Sequence, residues 1–281
     1  LDTDGSTPNG RETPNGFRSF AEPAPDDGRK GRTRAASFAD HYSQPRMFYR
    51  SQTAFEQAHI AASLVFELSK VETPHVREAI VGHLRHVDAG LAQRVADGLG
   101  MEALPPAPPA AVAPIDMPAS PALQIIGKMK DTLEGRCVGI LINDGSDAAT
   151  IKALRKAAEA AGARVKIVAP KVGGAKLSDG KKMPADGQLA GTPSVVFDAI
   201  AVVLSEEGGK LLSKEAAAVD FVRDAFGHLK AIAADAGAMA VLKAGNVGKD
   251  KAVVDASDTK GFIAAAKTRQ WDREPKVRTL A

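Results

Sequence analysis

The chain has 281 residues, of which 44% are hydrophobic and 25% are charged, so it can bury a substantial core and form two compact units. Its formal net charge of +3 is small for this length, which argues against a dedicated nucleic-acid-binding protein. A single cysteine excludes an internal disulfide framework and favours a reducing compartment, and no apolar run approaches the roughly 18 residues that span a bilayer. We therefore expect a cytoplasmic globular protein with neither a nucleic-acid nor a membrane partner.

The N-terminal stretch, residues 1–52, is predicted to be a wrapping or interface segment. Glycine and proline recur through residues 1–45, and this part is expected to be coil that buries too little surface to order itself. If it is ordered, its aromatic residues dock onto another surface: Phe17, Phe20, Phe38, Tyr42, Phe48 and Tyr49. The basic cluster from Arg29 to Arg34 has no stacking platform beside it, so we interpret it as a solvated or interface-pairing loop rather than a phosphate-binding arm.

Residues 53–103 are predicted to form a small helical domain. Thr53-Ala-Phe-Glu56 is a capping-box sequence, Pro74 suits the first turn of a second helix, and Asp88 can cap a third helix that ends near Gly98 or Gly100. The expected apolar faces are Phe55, His59, Ala62, Phe66 and Leu68 on the first helix and Val76, Ile80, Leu84 and Val87 on the second. Three short amphipathic helices make a poor core by themselves, so we expect this domain to lie as a lid on a larger structure.

Two pairs of side chains in these helices have metal-ligand spacing. Glu56 and His59 have the spacing of a di-iron helix, but such a site needs a second copy and further carboxylates, and Glu56 is already explained by the capping box. His83 and His86 could bind zinc only with a third ligand, and no convincing one is present. We therefore predict no metal site and assign these histidines to an interface or to the surface.

The stretch 104–126 is predicted to be a linker. Seven prolines fall within residues 105–121, separated mainly by alanine. This composition favours a semi-rigid, polyproline-type tether that has reach but no core.

Residues 127–281 are predicted to form an α/β domain with three layers and a mostly parallel sheet. The apolar run Val138–Ile142 is typical of a strand buried on both faces, Ser146 can cap the helix that follows, and Gly162 supplies its left-handed end. The next strand, 164–169, completes a βαβ unit. Strands and helices then alternate: a hairpin turn at Asp179-Gly180, a strand over 198–204, a helix with Ala218, Val219, Val222, Ala225 and Phe226 inward, a strand over 229–234, a helix near 237–243, a short strand over 252–254 and a helix over 258–268.

The loops at the carboxyl ends of these strands are where a ligand would lie, but they lack the residues of common sites. Asp144 and Asp147 place negative charge where a flavodoxin holds a phosphate, so a bound flavin is not expected. The loop at Asp235, where amidotransferase-like sheets carry a nucleophile, has no cysteine or serine. Cys137 begins the first strand, at the opposite end, and is interpreted as a buried structural thiol. Gly245–Lys249 lacks the length and the hydroxyl residue of a phosphate-binding P-loop.

The residues from Asp40 to Ile60, DHYSQPRMFYRSQTAFEQAHI, and those from Phe66 to Val71, FELSKV, closely resemble the segment of haem catalases that leads into their C-terminal helical domain. Further similarity to the large-subunit catalases lies in the sequences AGLAQ at 89–93, VGILIND at 138–144 and RQWDREPK at 269–276, and in the proline-rich linker. These catalases carry an extra flavodoxin-like (class I glutamine-amidotransferase-like) C-terminal domain. The resemblance covers essentially the whole chain.

The resemblance implies a homotetrameric haem enzyme that disproportionates hydrogen peroxide to water and oxygen. The family's distal histidine and asparagine and its proximal tyrosine and arginine match no residue here and would lie before Leu1. His41, Tyr42 and His59 are not taken for them, and we assign no catalytic, haem-binding or metal-ligating residue. The implied role of this region is tetramer stability and access to the haem, with the rest of the catalase chain and the other subunits as partners. The alternative is a non-catalytic interaction module or chaperone-like module of the same fold.

Overall fold

The structure, a computed structural model, describes residues 31–278. It divides into a short N-terminal unit that ends at Ala39 and a unit that begins at Asp40. In the described part of the short unit, Ala36–Ala39 form a 3-10 helix, and Arg32 and Arg34 of the basic cluster are exposed. The predictions for Phe17, Phe20 and the start of that cluster lie outside the described residues.

The prediction of coil through residue 45 was wrong at its end, because helix α1 spans Ser43–Ser51. Pro45 lies in the first turn of this helix, where a missing N–H costs little, so proline did not mark coil here. Tyr42 and Tyr49 are buried, in keeping with their expected docking. Phe48 is 46% exposed, and its expected docking onto another surface stays a prediction.

Three more helices complete the helical region: α2 Ala54–Ser69, α3 Pro74–Val87 and α4 Ala89–Gly98. The three predicted starts are confirmed. Thr53 and Glu56 form a reciprocal capping box, Pro74 occupies the first turn of α3, and the Asp88 side chain caps α4. The chain leaves α4 through Gly100 at φ +67°, a left-handed conformation that favours glycine.

The apolar faces predicted for α2 and α3 are only partly buried within the described residues. Phe66, Val76 and Ile80 of those faces are 61%, 39% and 37% exposed. The core of the helical region instead consists of Tyr49, Ala61, Leu68, Val81, Val87, Leu91, Ala92, Val95 and Ala96. Both α2 and α3 pack against α4, and the side that each turns toward α4 is the buried one. Helical periodicity in the sequence does not show where that neighbour lies.

The proline-rich stretch, predicted as a semi-rigid tether with reach but no core, lies along the helical region. Arg85 donates to the carbonyl oxygen of Pro105 at 2.8 Å, and His86 donates to that of Pro108 at 2.7 Å. A proline-rich chain offers carbonyl acceptors but few N–H donors, so it pairs with donors on helix side chains. Farther along, Asp116 forms ion pairs with arginines of α1, Arg46 at 2.5 Å and Arg50 at 2.6 Å.

The carboxylate of Glu56 fixes the end of this stretch to α2. Besides capping α2, it accepts hydrogen bonds from the backbone N–H groups of Ile125 and Ile126, at 2.5 Å and 2.9 Å. Burial by itself would raise the pKa of Glu56, but backbone hydrogen bonds from Thr53, Ile126 and Ile125 outweigh it and lower the pKa from 4.5 to about 2. The carboxylate therefore stays ionised and holds the stretch in place.

Six parallel strands form the sheet of the C-terminal part: β1 Cys137–Ile142, β2 Arg164–Ala169, β5 Gly187–Gln188, β6 Ala199–Val203, β7 Ile232–Ala234 and β8 Val253–Asp255. Their order across the sheet is β5-β2-β1-β6-β7-β8. A small antiparallel pair, β3 Ala175–Lys176 and β4 Lys182–Met183, turns at Gly180, whose φ of +80° fits the predicted hairpin. The predicted α/β fold with a mostly parallel sheet is confirmed.

Helices cover both faces of this sheet. They are α5 Ala148–Ala160, α6 Glu206–Leu212, α7 Ala216–Gly227, α8 Met239–Ala244 and α9 Thr259–Ala266. On one face, α5 and α9 bury Leu154 and Phe262 against the strands. On the other, α6, α7 and α8 bury Leu212, Phe221 and Val241. These two apolar layers enclose β1 and β6 completely, since every residue of both strands is buried.

Two local predictions in this part need correction. Asp147, not Ser146, caps α5, and its carboxylate accepts from the Thr150 N–H at 2.7 Å. The Ser146 hydroxyl points into the protein, where it contacts the Val203 carbonyl oxygen at 2.6 Å. Helix α6 was not predicted, because its four-residue start, Glu-Glu-Gly-Gly, resembles a loop. The predicted end of α5 at Gly162 is confirmed by a φ of +90°.

The end of the chain joins the sheet to the helical region. A 3-10 helix, Trp271–Arg273, leads into α10, Glu274–Val277. His59 on α2 contacts the buried Glu274 carboxylate at 2.5 Å, and Phe55 stacks on Trp271 with ring centroids 6.2 Å apart. Arg273 is fully buried and pairs with Asp250 at 2.6 Å. A charged anchor and a packed aromatic pair therefore hold this corner.

Replacing Glu56 with glutamine is expected to destabilise the protein at pH 7 by about 1–3 kcal/mol, because a neutral amide cannot replace four hydrogen bonds to a buried carboxylate. The pKa of Glu56 is lowered on folding, so its stabilisation is complete above pH 4.5 and is lost as the pH falls toward 2. Urea unfolding of the Glu56→Gln variant should therefore lose part of the acid dependence seen in the parent protein.

Glu67→Gln is the matched control, since Glu67 is exposed on the same helix and pairs only with Lys70 among the described residues. Equal unfolding free energies for the two variants at pH 7 would contradict the assigned role of Glu56.

Candidate functional site at the carboxyl edge of the sheet

The largest cavity described lies where the sheet reverses its strand order. From β1 the chain proceeds to β2 on one side, and β6 later takes the place on the other side of β1. In open parallel sheets, the crevice beyond the carboxyl ends of two such strands is the usual ligand site. Here it encloses about 680 Å³, bounded by the loops after β1, β2 and β6 and by α6.

The polar side chains of this crevice bond mainly to one another. Asn143, directly after β1, accepts from the Ser205 N–H and donates to the Ser205 hydroxyl, both at 3.0 Å. The Asn143 N–H in turn donates to Ser146 at 2.8 Å. Ser205 caps α6 and also donates to the Asp144 carbonyl oxygen at 2.9 Å. This network joins the loops after β1 and β6, so its polar groups are already used to stabilise the fold.

Carboxylates stand where a phosphate would bind such a sheet. The Asp147 side chain accepts the free N–H of Thr150, and these hydrogen bonds hold its pKa below the ordinary range. Asp144 accepts from the Lys176 N–H at 2.8 Å and lies 3.8 Å from the Lys171 ammonium. The N-terminus of α5 is therefore already satisfied by an anion of the protein. The expectation that no flavin binds rests on this geometry and stays a prediction.

Asp235 occupies the loop position at which a nucleophile was sought. Its carboxylate accepts from the Leu204 N–H at 3.0 Å and from the Ala238 N–H at 2.9 Å, which ties the end of β7 to the end of β6. Burial raises the pKa of Asp235. With its oxygens engaged by the backbone, the residue acts as a brace. Gly237, two residues on, has no room for a side chain, because a Cβ would meet the Leu204 carbonyl oxygen.

None of the metal-ligand candidates of the sequence lines this crevice. His59 pairs with Glu274, His83 contacts the Tyr42 hydroxyl at 2.8 Å, and His86 binds the proline-rich stretch. Across residues 31–278, no three His, Cys, Asp or Glu side chains are grouped to hold a metal ion. The assignment of no catalytic, cofactor or metal residue stays a prediction.

The two remaining candidates also have ordinary surroundings. Cys137 is 9% exposed at the amino end of β1, and burial raises its pKa, which disfavours a reactive thiolate. The Gly245–Lys249 segment is a turn after α8, with Asn246 at φ +54°. Neither lines either of the two cavities described.

Sequence reasoning missed a second cavity, of about 260 Å³, at the opposite edge of the sheet. Lys230, Arg269, His228 and Asp198 line it. A signal was present: Lys230 is a single cation in the apolar stretch 229–234 that was predicted as a strand. Lysine is rarely buried unless it is paired, so its presence in a predicted buried strand was a signal. The strand prediction did not show that a cavity lies at the amino end of that strand.

Comparison with known proteins agrees with this architecture. Residues 35–99 match the family described as "Catalase-related immune-responsive", and residues 134–274, half of the chain, match the "C-terminal domain found in long catalases". The chain belongs to the long-catalase family. The two matched ranges fall on the helical region and on the sheet with its helices, so the resemblance found in the sequence is confirmed.

Long catalases from several organisms align with nearly the whole chain. Catalase C of Rhizobium meliloti is 45% identical over 276 residues, which is 95% of this chain and 39% of that protein. Catalase HPII of Pseudomonas putida is 35% identical over 96% of this chain and 38% of its own length, and Catalase-2 of Bacillus subtilis is 32% identical over 88% and 36%. The chain thus spans about two fifths of the length of these relatives and matches their C-terminal portion.

The packing of the long-catalase crevice can be tested at Gly208, which lies in α6 against Asn143. A Cβ at Gly208 would collide with the Asn143 amide nitrogen, so Gly208→Ala is expected to cost about 1–3 kcal/mol of unfolding free energy. Gly227→Ala is the control. Apart from its chain neighbours and the backbone of its own helix, no described heavy atom lies within 4 Å of its added Cβ, and at the end of α7 the change should be neutral or stabilising by about 0.5–1 kcal/mol. If urea unfolding gives both variants the same stability, the crevice is more loosely packed than this geometry requires.

Proposed function

We propose that residues 1–281 are the C-terminal region of a haem catalase, an enzyme that disproportionates hydrogen peroxide to water and oxygen. The observation that carries the proposal is the pattern of coverage, in which Catalase C of Rhizobium meliloti and Catalase HPII of Pseudomonas putida match 95% and 96% of this chain with only 39% and 38% of their own length. In this proposal the peroxide chemistry belongs to the larger protein. The region described here contributes tetramer stability and shapes access to the haem.

The cavities described do not fit haem themselves. Haem iron is held by histidine, tyrosine, cysteine or methionine, and the lining of the 680 Å³ crevice contains none of these residues. The smaller cavity contains His228, but its 260 Å³ is below the size of sites for drug-sized ligands, so it does not hold a porphyrin. We propose that haem in the parent enzyme is ligated by residues outside this sequence, and we route no catalytic step through residues 1–281.

The surface of the helical region supports a role in assembly. Phe48, Phe66, Val76, Ile80 and Ile125 are all more than a third exposed. Exposing large apolar side chains to water is unfavourable, whereas burying them at an interface is favourable. We propose that they face the rest of the catalase chain or another subunit of a homotetramer, as the lid interpretation of this region requires.

We further propose the predicted organisation for this region: a wrapping segment at 1–52, a helical domain at 53–103, a Pro/Ala-rich linker at 104–126 and a flavodoxin-like domain at 127–281. The contacts of the linker with α1, α2 and α3 support treating it as part of the helical surface. Within residues 31–278, no helix is long and apolar enough to cross a membrane. We propose a cytoplasmic location, with neither membrane nor nucleic acid as a partner.

A second candidate function is a non-catalytic interaction or chaperone-like module. It is favoured by Leu211, which lies at the 680 Å³ crevice and is 68% exposed. The two candidates differ in whether the purified protein decomposes peroxide.

The protein that carries these residues, purified from its native source, is expected to show a Soret band, to release oxygen rapidly from hydrogen peroxide and to exceed 29.3 kDa in intact mass. All three should be measured on one sample. A colourless protein of 29.3 kDa that releases no oxygen would refute the assignment to a catalase enzyme and leave the interaction module.

The proposed interface is tested by Phe66→Asp in the same intact protein. Loss of a buried phenylalanine contact of about 2 kcal/mol, and burial of a charge, should lower the melting temperature and weaken subunit association in sedimentation velocity. Val172→Asp is the control, because Val172 is 77% exposed on the sheet part. If Phe66→Asp behaves like Val172→Asp, Phe66 faces solvent in the assembled protein.

A further inference from the structure

The second cavity lies at the amino edge of the sheet, away from the 680 Å³ crevice at the carboxyl edge. Its volume is about 260 Å³, and the side chains around it are unevenly charged. Lys230, Arg269 and His228 are potential cations, and Asp198 is the carboxylate among the lining residues. No role in the proposed catalase function accounts for this arrangement.

Lys230 is the group that most needs a partner. The residue is 4% exposed, and within residues 31–278 its ammonium makes one hydrogen bond, to the Ser194 carbonyl oxygen at 2.8 Å. A lysine ammonium carries three N–H donors, and a buried cation is costly unless it is paired. No salt bridge to Lys230 is formed among the described residues.

Asp198 is already engaged elsewhere. Its Oδ2 accepts from the Cys137 N–H at 2.9 Å, and its Oδ1 lies 3.6 Å from the Arg269 guanidinium. Arg269 also donates to the Asp198 carbonyl oxygen at 2.8 Å. Arg269 and Asp198 therefore balance each other, and the charge of Lys230 is left over. One net positive charge calls for a monoanion.

The rim of the cavity is apolar. Val195 and Val196 line it and are 50% and 59% exposed, while Phe197 beside them is buried. Exposed valines at the mouth of a cationic cavity suit a ligand with a short hydrocarbon tail, since covering them removes apolar surface from water. A fully hydrated inorganic dianion would gain nothing from them.

We propose that this cavity binds a small aliphatic monocarboxylate, whose oxygens pair with Lys230 and Arg269 and whose tail covers Val195 and Val196. The ligand supplies the anion that the buried ammonium lacks. Backbone and side chain of Lys230 are both fixed before binding, since the buried Arg273 donates to the Lys230 carbonyl oxygen at 3.0 Å and Ser194 accepts from its ammonium. The site is therefore preorganised.

The charge state of Lys230 sets the pH range of binding. Burial, with the nearby Arg269 cation, lowers the pKa of Lys230 to about 8, although Asp198 and Asp224 act in the opposite direction. Burial and the charge of Lys230 also lower the pKa of His228, so this imidazole is mainly neutral above pH 7. A carboxylate favours the charged lysine, so binding should take up protons near pH 8 and weaken by about tenfold between pH 7 and pH 9.

Calorimetric titration of the full protein with butyrate tests the site. The expected result is saturable binding at pH 7, an affinity about tenfold lower at pH 9, and weaker binding of inorganic phosphate. Val196→Asp places a repelling carboxylate on the exposed rim and should weaken butyrate binding about tenfold or more, whereas Val172→Asp, exposed elsewhere, should leave it unchanged. Lys230→Met should abolish binding, with its melting curve recorded to show that the variant is folded.

Three results would overturn the proposal: no saturable heat from butyrate, phosphate binding tighter than butyrate, or equal butyrate affinity in the parent and in Val196→Asp. The peroxide assay on the same samples keeps this outcome separate from the proposed function, because the cavity is placed in no catalytic step. Val196→Asp adds its charge on an exposed rim, so the test remains decisive even where Lys230→Met fails to fold.

Discussion

The carboxylate of Glu56 is the contact on which the helical region and its connection to the sheet depend. It accepts hydrogen bonds from the start of α2 and from the last turn of the proline-rich stretch before the sheet, and it remains ionised because its pKa is held at about 2. One turn farther along α2, His59 binds Glu274 at the other end of the sheet part. A single short segment of α2 therefore contacts the chain both just before the α/β domain and near the end of that domain. The stretch 105–121 is held in addition by Arg85 and His86 and by the ion pairs of Asp116, so its course does not depend on backbone preference alone.

At the carboxyl edge of the sheet, where folds of this kind usually bind a ligand, the protein's own side chains bind the loops to one another. Asn143, Ser205 and Asp235 lie at the ends of β1, β6 and β7, where related architectures place catalytic or phosphate-binding groups. Each is committed to backbone groups of the neighbouring loop. Glycines at 208 and 237 let those loops approach so closely that a methyl group would not fit. As a result, the loops at this edge are held together by the protein's own side chains.

Strong local signals made most of the fold predictable from the sequence. The capping box at Thr53, the left-handed glycine at 162 and the apolar run of β1 each encode a structure that needs no distant partner. The features that were not predicted have one cause. Phe66 and Ile80 are exposed because α4 packs on the other side of their helices, and the prolines of 105–121 are held by Arg85 and His86, which are about twenty residues away. The cavity at Lys230 was missed for the same reason. Arg269 and Asp198, which line it with Lys230, are brought beside that lysine only when the sheet folds.

The two edges of the sheet differ in whether the protein itself supplies an anion to their positively charged or N–H groups. At the carboxyl edge, backbone N–H groups would attract an anion, and Asp147 and Asp235 supply it from within the protein. At the amino edge, a buried ammonium also requires an anion, but the nearby carboxylate of Asp198 is shared with Arg269 and with the N–H of Cys137. Folding has therefore neutralised one edge and left a positive charge on the other. Because a buried ammonium is retained at a continuing cost in stability, its position beside an open cavity with an apolar rim is better explained by a bound anion than by packing alone.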